Sequence, residues 1–286
     1  MQMTVIVILL ICCILFIVYG YCSNFILERN VVRFLNNNGE TNQKELRFIL
    51  LADLHGAVFG KGNKKLLTAV KSICPDGVLI AGDMVVKNGK GSSVTLTLCK
   101  ELLKICPVFY ALGNHEIRLE NRQSFLEELV GNGVILLDNQ SVIHTFQGKK
   151  VRIAGLTLEE EYYGKVWQEN ELTLEAMENM LPSGKEENIA TILIAHNPQY
   201  FPIYAKWGAD LVVSGHVHGG IMTLPFGGVI APSLRIFPKY TNGVYEEGTS
   251  RLVLSRGLGL HHIKLRFFNF PEMITIYWDG DKNMVC

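Results

Sequence analysis

The chain has 286 residues, with 27 basic and 27 acidic side chains and a formal net charge of +0. Hydrophobic residues make up 48 % of the sequence and charged residues 19 %. This composition excludes a disordered chain, which combines low hydrophobicity with high net charge. It also lacks the basic excess that is typical of dedicated nucleic-acid binders. We therefore expect a globular domain with a sizeable core and no nucleic-acid partner.

The first 27 residues contain no charged side chain. Met3 to Tyr21 is an almost unbroken apolar run, and a helix needs about 20 such residues to cross a bilayer core. We therefore predict a single-pass N-terminal transmembrane anchor over 1–27, which localises the protein to a membrane. A cleaved signal peptide is the alternative, but it would favour a positively charged start. Arg29 and Arg33 follow the segment, so the positive-inside rule, counted literally, keeps the following domain in the cytoplasm.

The rest of the chain divides into a linker and one domain. The polar segment 28–45 predicts the linker, because it includes the turn-forming run Asn36-Asn37-Asn38-Gly39. Residues 46–286 predict an α/β domain, because apolar strand-like runs alternate with amphipathic helices. The predicted strands are 46–52, 77–81, 108–112, 134–137, 142–146, 151–154, 189–195, 211–213, 252–254 and 273–278, and the predicted helices are 63–73, 92–105 and 124–130. Gln147-Gly148 predicts a hairpin turn. The acidic stretch 159–187 predicts a solvated helical face.

Five predicted strands end in residues that can bind a metal or move a proton. These residues are Asp53 and His55 (LADLHG), Asp83 (IAGDMV), Asn114 and His115 (ALGNHE), His196 (LIAHNP), and His216 and His218 (VSGHVHGG). In layered α/β folds, ligands collect at the carboxyl ends of strands. Side chains that are far apart in sequence can therefore converge on one site. His144, His261 and His262 lie outside this pattern.

The residue types indicate the kind of metal site. The set contains no thiolate, which argues against a structural zinc site. Two carboxylates, an amide oxygen and several imidazoles suit a pair of divalent ions such as Mn²⁺, Fe²⁺ or Zn²⁺, of which Mn²⁺ is favoured. One ion cannot use so many protein ligands and keep an open position. Two ions about 3.5–4 Å apart that share a carboxylate can, and such pairs promote displacement at phosphorus.

The ordered set Asp-x-His, Gly-Asp, Gly-Asn-His-Glu, His and Gly-His-x-His resembles the calcineurin-like metallophosphoesterases over about residues 46–280. The C-terminal run SRGLGLHHIKLRFFNFPEMITIYW resembles their bacterial membrane-anchored, YkuE-like branch, relatives of which cleave the pyrophosphate of a UDP-linked diacylglucosamine. The resemblance implies an α/β fold, the two-sheet αββα sandwich of metallo-dependent phosphatases.

The resemblance also implies a role for each residue of the site. Asp53, His55 and His218 resemble ligands of the first ion, Asn114, His196 and His216 resemble ligands of the second, and Asp83 resembles the bridging carboxylate. His115 resembles the residue near the leaving-group oxygen, where it acts as a general acid or stabilises the charged transition state.

The implied activity is hydrolysis of phosphodiester or pyrophosphate bonds by a hydroxide that bridges two metal ions. The substrate is a phosphate ester, and a lipid-linked one would suit an anchored domain. The run 84–89 lacks the acidic–Arg–Gly extension of the protein Ser/Thr phosphatases, which disfavours phosphoprotein substrates. The alternative function is a catalytically silent binding module or scaffold of the same fold at the membrane.

Six basic or imidazole side chains lie close together in the C-terminal sequence. They are Arg251, Arg256, His261, His262, Lys264 and Arg266. They predict either a rim that contacts anionic headgroups or scattered surface charge, and both interpretations stay open at this point.

Overall fold

The computed structural model describes residues 2–34, 45–164, 170–183, 189–220, 223–224, 227–228, 239–260 and 265–279. The helices are α1 (Gln2–Cys22), α2 (Lys64–Ile73), α3 (Ser92–Leu103), α4 (Asn114–Ile117), α5 (Arg122–Gly131), α6 (Leu174–Met180) and α7 (Phe201–Trp207). The strands are β1 (Glu28–Phe34), β2 (Leu46–Leu51), β3 (Gly77–Ala81), β4 (Val108–Ala111), β5 (Ile135–Leu136), β6 (Gln140–Phe146), β7 (Lys149–Leu156), β8 (Ala190–Ala195), β9 (Leu211–Ser214), β10 (Thr223–Leu224), β11 (Gly227–Gly228), β12 (Gly243–Glu247), β13 (Ser250–Leu254) and β14 (Glu272–Trp278).

Two six-stranded mixed sheets form the centre of the fold. The first has the order β1-β14-β2-β3-β4-β5, and the second has the order β12-β13-β9-β8-β7-β6. Strands β2, β3 and β4 run parallel in the first sheet, as do β8 and β9 in the second. Parallel strands end at one edge of a sheet, so the loops that follow them lie close together at that edge.

Each sheet packs one face against the other sheet and the opposite face against helices. Phe48 and Phe109 of the first sheet and Ile192 and Val213 of the second are fully buried in the layer between the sheets. Helices α2, α3 and α5 cover the outer face of the first sheet, and α6 and α7 cover that of the second. Strands buried on both faces are nearly continuous apolar runs, which is why the sequence located them. The structure confirms the predicted αββα sandwich.

The predicted hairpin turn at Gln147-Gly148 is also confirmed. It joins β6 to β7, which pair antiparallel with Phe146 opposite Lys149. Gln147 and Gly148 have φ of 49° and 90°, and positive φ at both central residues matches the right-handed twist of the flanking strands.

The predicted linker over 28–45 is wrong for its first seven residues. Glu28–Phe34 form β1, which pairs in parallel with β14 from Glu28 opposite Glu272 to Phe34 opposite Trp278. Half-buried and exposed residues alternate along most of β1, because it is an edge strand with one face open to solvent. The polar residues of β1 interrupt its apolar pattern, so a prediction based on apolar runs does not detect this strand. Residues 35–44 lie outside the described residues, so the linker prediction over them stays untested.

Helix α1 continues through a 3₁₀ turn to Phe25. The whole segment is long and apolar enough to cross a membrane, and a signal sequence near an N-terminus has the same properties. The end of α1 contacts the C-terminal part of the domain. The rings of Phe16 and Phe267 stack with their centroids 4.2 Å apart, and the Arg266 backbone N–H donates to the Gly20 carbonyl at 2.9 Å.

Candidate metal centre

All eight residues that the sequence singled out lie around one centre at the strand ends. Asp53 and His55 follow β2, Asp83 follows β3, Asn114 and His115 begin α4, His196 follows β8, and His216 and His218 follow β9. Seven of them are less than a tenth exposed, and His216 is half-buried. Polar groups buried at this density need partners, and a bound cation would supply one for several of them at once.

One group of ligand atoms comes from Asp53, His55 and His218. The Nε2 atoms of His55 and His218 lie 3.3 Å apart. Asp53 Oδ1 lies 3.9 Å from Nε2 of His55 and 3.7 Å from Nε2 of His218. A cation about 2.0–2.2 Å from each ligand keeps the ligand atoms roughly 3–4 Å apart. These three side chains therefore fit one divalent ion.

A second group comes from Asp83, His196 and His216, whose candidate ligand atoms all lie within 4.8 Å of one another. Nε2 of His196 lies 3.1 Å from Asp83 Oδ2. Asp83 also groups with His55 and His115, so its carboxylate lies between the two sets. Oδ1 of Asn114 is buried, and among the described residues it has no hydrogen-bond partner. That unpaired oxygen also fits a bound cation.

The hydrogen bond at Nδ1 of each histidine ring distinguishes candidate metal ligands from a candidate proton donor. Nδ1 of His196 lies 2.6 Å from the Ala81 carbonyl, and Nδ1 of His55 lies 3.3 Å from the Val85 carbonyl. A carbonyl only accepts, so both Nδ1 atoms carry a proton, and each ring can offer the Nε2 lone pair to a cation in the centre once that nitrogen is deprotonated. Nδ1 of His115 instead accepts from the Lys87 backbone N–H at 3.1 Å. The proton of His115 is therefore on Nε2, 3.9 Å from Asp83 Oδ2.

The loops that carry the ligands adopt a costly backbone conformation. Asp53, His55, Asp83, His216 and His218 all have φ between 46° and 75°. Residues other than glycine rarely occupy this left-handed region, and clusters of such residues occur where the surrounding structure fixes a functional geometry. The strained loops therefore need strong support from the rest of the fold.

Glu116 provides part of that support, and sequence reasoning gave it no role. Its Oε2 accepts from the backbone N–H groups of Asp83 and Gly113 at 2.8 and 3.0 Å. Its Oε1 accepts from the Met84 N–H at 2.8 Å and from the Tyr110 hydroxyl at 2.7 Å. The sequence signal that could have identified Glu116 is the fourth position of the Gly-Asn-His-Glu motif, where a carboxylate directly follows Asn114 and His115. Burial raises the pKa of this carboxyl, as does the nearby charge of Asp83.

For Arg256 and Arg266, both interpretations of the C-terminal basic cluster are wrong, because these two side chains are buried. Arg256 is 8 % exposed and Arg266 is 0 % exposed. Arg256 donates to the Glu272 carboxylate at 2.9 Å and to that of Glu28 at 2.6 Å. Arg251 is half-buried and pairs with Glu246 at 3.1 Å. His261, His262 and Lys264 lie outside the described residues.

Arg266 and Asn269 hold the loops on the Asp53 side of the centre. The Arg266 guanidinium donates to four backbone carbonyls, including that of Gly259 at 2.9 Å. The Gly259 N–H in turn donates to the Asp53 carbonyl at 2.6 Å. The Asn269 amide donates to the carbonyls of His218 and Gly220 at 2.8 and 2.6 Å. No local sequence signal identifies these roles, because the partners are backbone carbonyls, which every residue carries.

The glutamates of the predicted solvated helical face over 159–187 are exposed wherever the structure describes them, but the same stretch also approaches the centre. A 3₁₀ turn, Glu160–Tyr163, carries the Tyr163 ring to 5.2 Å from the ring of His216, centroid to centroid. Arg118, at the end of α4, pairs with Glu160 at 2.9 Å. Farther along, α6 buries Met177 completely against the second sheet. Residues 165–169 and 184–188 lie outside the described part of the chain.

Burial and mutual charge set the protonation of the centre. Burial raises the pKa of Asp53 to about 7, although the neighbouring His196 opposes the shift. Burial also disfavours the charge on Asp83, but His196 holds the pKa of that carboxyl well below its ordinary value. Burial alone would lower the pKa of His196, yet Asp83 raises it to about 10. Asp83 and His196 therefore form a buried ion pair, and a cation that binds both must displace a proton.

Comparisons with known proteins identify the family of this chain. A family model described as calcineurin-like phosphoesterase matches residues 46–220. The chain is 28 % identical to the uncharacterized metallophosphoesterase Cj0846 of Campylobacter jejuni, over 93 % of this chain and 68 % of the relative. It is 25 % identical to the uncharacterized metallophosphoesterase YkuE of Bacillus subtilis, over 75 % and 71 % of the two chains. It is also 25 % identical to the phosphodiesterase YaeI of Escherichia coli, over 84 % of each.

A solved structure with the same fold is the NAD nucleotidase NadN of Haemophilus influenzae. Its TM-score is 0.51 at 15 % identity, over 75 % of this chain and 46 % of that one. This likeness concerns the fold alone. The match to the family model covers more than half of the chain, so the chain belongs to the calcineurin-like phosphoesterases. It is a hydrolase that acts on phosphoric esters, as its sequence predicted.

Proposed function

We propose that this protein is a membrane-anchored phosphoesterase that uses two divalent cations to hydrolyse phosphodiester or pyrophosphate bonds. The proposed first-ion ligands are Asp53, His55 and His218, the proposed second-ion ligands are Asn114, His196 and His216, and Asp83 is shared. The observation that carries this proposal is the position of the Asp83 carboxylate, which groups with His55 on one side and with His196 and His216 on the other. Mn²⁺ is the favoured cation, because the set mixes carboxylate, amide and imidazole ligands.

When bound, two such cations offset the charge of a phosphoryl group and generate a nucleophile from water near neutral pH. The residues of the chain itself would position the substrate and protonate its leaving group. His115 presents an Nε2–H group to the centre because the Lys87 N–H occupies its Nδ1. A leaving-group oxygen within hydrogen-bond reach of that nitrogen would receive the proton. The low exposure of the surrounding residues excludes water and strengthens each electrostatic contact.

The membrane part of the proposal is supported by α1 and its contacts. The helix is long enough to span a bilayer, and its end packs on the segment that contains Arg266 and Phe267. Asn269, two residues farther, holds the loop of the proposed ligand His218. An enzyme with its centre so close to an anchor would suit a substrate that lies in the membrane plane, such as a lipid-linked diphosphate.

The test uses the full chain in detergent, stripped of metal and then loaded with Mn²⁺. We expect two ions per chain by elemental analysis, and hydrolysis of bis(p-nitrophenyl) phosphate that is faster than hydrolysis of p-nitrophenyl phosphate. His144→Gln is the matched control, since His144 packs against Phe109 and Phe146 away from the centre, and it should keep both metal and turnover. Two ions per chain without turnover would support the catalytically silent binding module instead. One ion per chain would contradict the dinuclear centre.

A further inference from the structure

A basic pocket lies where the segment after α1 meets the start of α2. Its volume is about 480 Å³. Four cationic side chains line it, those of Arg29, Lys61, Lys64 and Lys65, together with the apolar Leu27. Among the described residues, no carboxylate lines the pocket. We call these four cations and the space between them the basic pocket.

The four charges have no counter-ion within the protein as described. None lies within 4.0 Å of a carboxylate among the described residues. Other arginines near the same strand are paired: Arg33 contacts Glu45 at 3.5 Å, and Arg256 contacts Glu28 at 2.6 Å. Four unpaired like charges around one space create a positive potential that attracts an anion.

The basic pocket lies directly beside the point where α1 ends. The Lys65 ammonium donates to the Phe25 carbonyl at 3.3 Å, so this cation is held three residues past the end of the helix. Phe25 and Ile26 are 56 % and 48 % exposed. A membrane-spanning α1 would put these exposed apolar groups and the cations together in the interfacial layer, where basic and aromatic side chains are favourable.

A second exposed aromatic flanks the same helix end. The Phe268 ring lies 5.6 Å from the ring of Tyr19, centroid to centroid. It is 57 % exposed, and its φ of 55° lies in the left-handed region. A bulky residue at positive φ is uncommon, and here the residue in that conformation is a large apolar ring exposed to solvent. Exposed rings at the helix end beside a cationic pocket match a phospholipid better than a free anion, because a phospholipid carries both an anionic headgroup and acyl chains.

We propose that the basic pocket binds the phosphate-bearing headgroup of an anionic phospholipid in the leaflet next to the end of α1. This lipid is a bound ligand and not the substrate, since the pocket contains none of the proposed metal ligands. It would orient the domain on the membrane surface. The inference rests on the membrane anchoring proposed above and goes beyond the proposed hydrolysis.

The experiment compares lipid retention by the full chain in nanodiscs and after release into mild detergent. Phosphatidylglycerol and phosphatidylcholine are supplied in equal amounts, and bound lipid is counted by native mass spectrometry. The wild type should retain phosphatidylglycerol preferentially. Lys61→Gln, Lys64→Gln and Lys65→Gln combined should reduce that retention about tenfold or more, given the attraction of each basic residue for an anionic surface. The control combines Lys100→Gln, Lys150→Gln and Lys206→Gln, which are exposed lysines elsewhere, and should retain the lipid.

Equal retention of the two lipids by the wild type would overturn the proposal, as would equal losses in the two triple variants. Phosphatidylglycerol retention that millimolar inorganic phosphate abolishes would overturn the lipid assignment in favour of a free-anion site. Turnover of bis(p-nitrophenyl) phosphate should be unchanged in both triple variants. A chain that is recovered without α1 in the soluble fraction of cells would contradict the anchor. An intact anchored chain with no anionic-lipid preference would contradict the basic pocket alone.

Discussion

The strand-end loops and the C-terminal segment, residues 255–260 and 265–269, support the same centre in different ways. The loops present side chains inward, as Asp83 and His196 do at 3.1 Å. The segment presents donors to backbone carbonyls, as Arg266 and Asn269 do. The loops therefore contribute the chemistry, and the segment contributes the rigidity that keeps strained loops in place. If this division is correct, changes in the loops should abolish metal binding or turnover, and changes in the segment should weaken both only in part.

The largest effect is expected at the carboxylate that the two ligand groups share. Asp83→Asn removes the charge between the two proposed ions and leaves His196 without its ionic partner. We expect loss of both ions and a fall in kcat/KM of about 10³-fold or more, since bound metal contributes several kcal/mol to such reactions. Elemental analysis and the bis(p-nitrophenyl) phosphate assay measure the two quantities. Asp138→Asn is the control, because Asp138 pairs with Arg122 at the surface. Full metal content with wild-type rates in Asp83→Asn would disprove the shared role.

The next largest effect separates proton transfer from metal binding. His115→Ala removes the Nε2–H group that faces the centre and leaves the proposed ligands in place. We expect two ions per chain and a loss of about 10²–10³-fold in kcat, which is typical of a lost general acid. The loss should be smaller for a substrate with a better leaving group, which needs less protonation. A parallel loss of metal would assign His115 to ligation.

The difference between the strand-end loops and the C-terminal segment also explains which parts of the site the sequence could predict. Residues such as Asp53, Asp83 and His196 directly follow apolar strands, so the local pattern marks both the strand and the ligand. The sandwich was predictable for the same reason. Arg256 and Arg266 are different, because a charged side chain close to other basic residues is expected to be exposed. Only the tertiary fold supplies the Glu272 carboxylate and the backbone carbonyls that bury them. Strand β1 was missed because its stability depends on pairing with β14, which lies more than 200 residues away.

A substitution in the C-terminal segment should decrease both the stability of the fold and the affinity for metal. Arg266→Lys keeps the positive charge but loses the planar fork that reaches four carbonyls. Buried carbonyls left unpaired cost about 1–3 kcal/mol each, so we expect a decrease of roughly 2–4 kcal/mol in the free energy of unfolding. Affinity for Mn²⁺ should fall about tenfold, as for other residues that orient ligands. Denaturation measures the free energy of unfolding, and calorimetric titration measures the affinity for Mn²⁺. Arg251→Lys, whose partner Glu246 is exposed, should change stability by less than about 1 kcal/mol. Equal destabilisation by both variants would show that the fork has no special role.

The smallest effect should be confined to one of the two ions. Asn269→Ala removes the donors to the His218 and Gly220 carbonyls, and each such bond contributes about 1 kcal/mol. His218 is a proposed ligand of the first ion only, so we expect the affinity for one Mn²⁺ to fall about three- to tenfold while that for the other is unchanged. Two-site calorimetric titration resolves the ions, and Asn132→Ala at the end of α5, remote from the centre, is the control. Equal weakening of both sites would mean that the His218 loop supports both ions. The effect of Asn269 would then not be confined to the first ion.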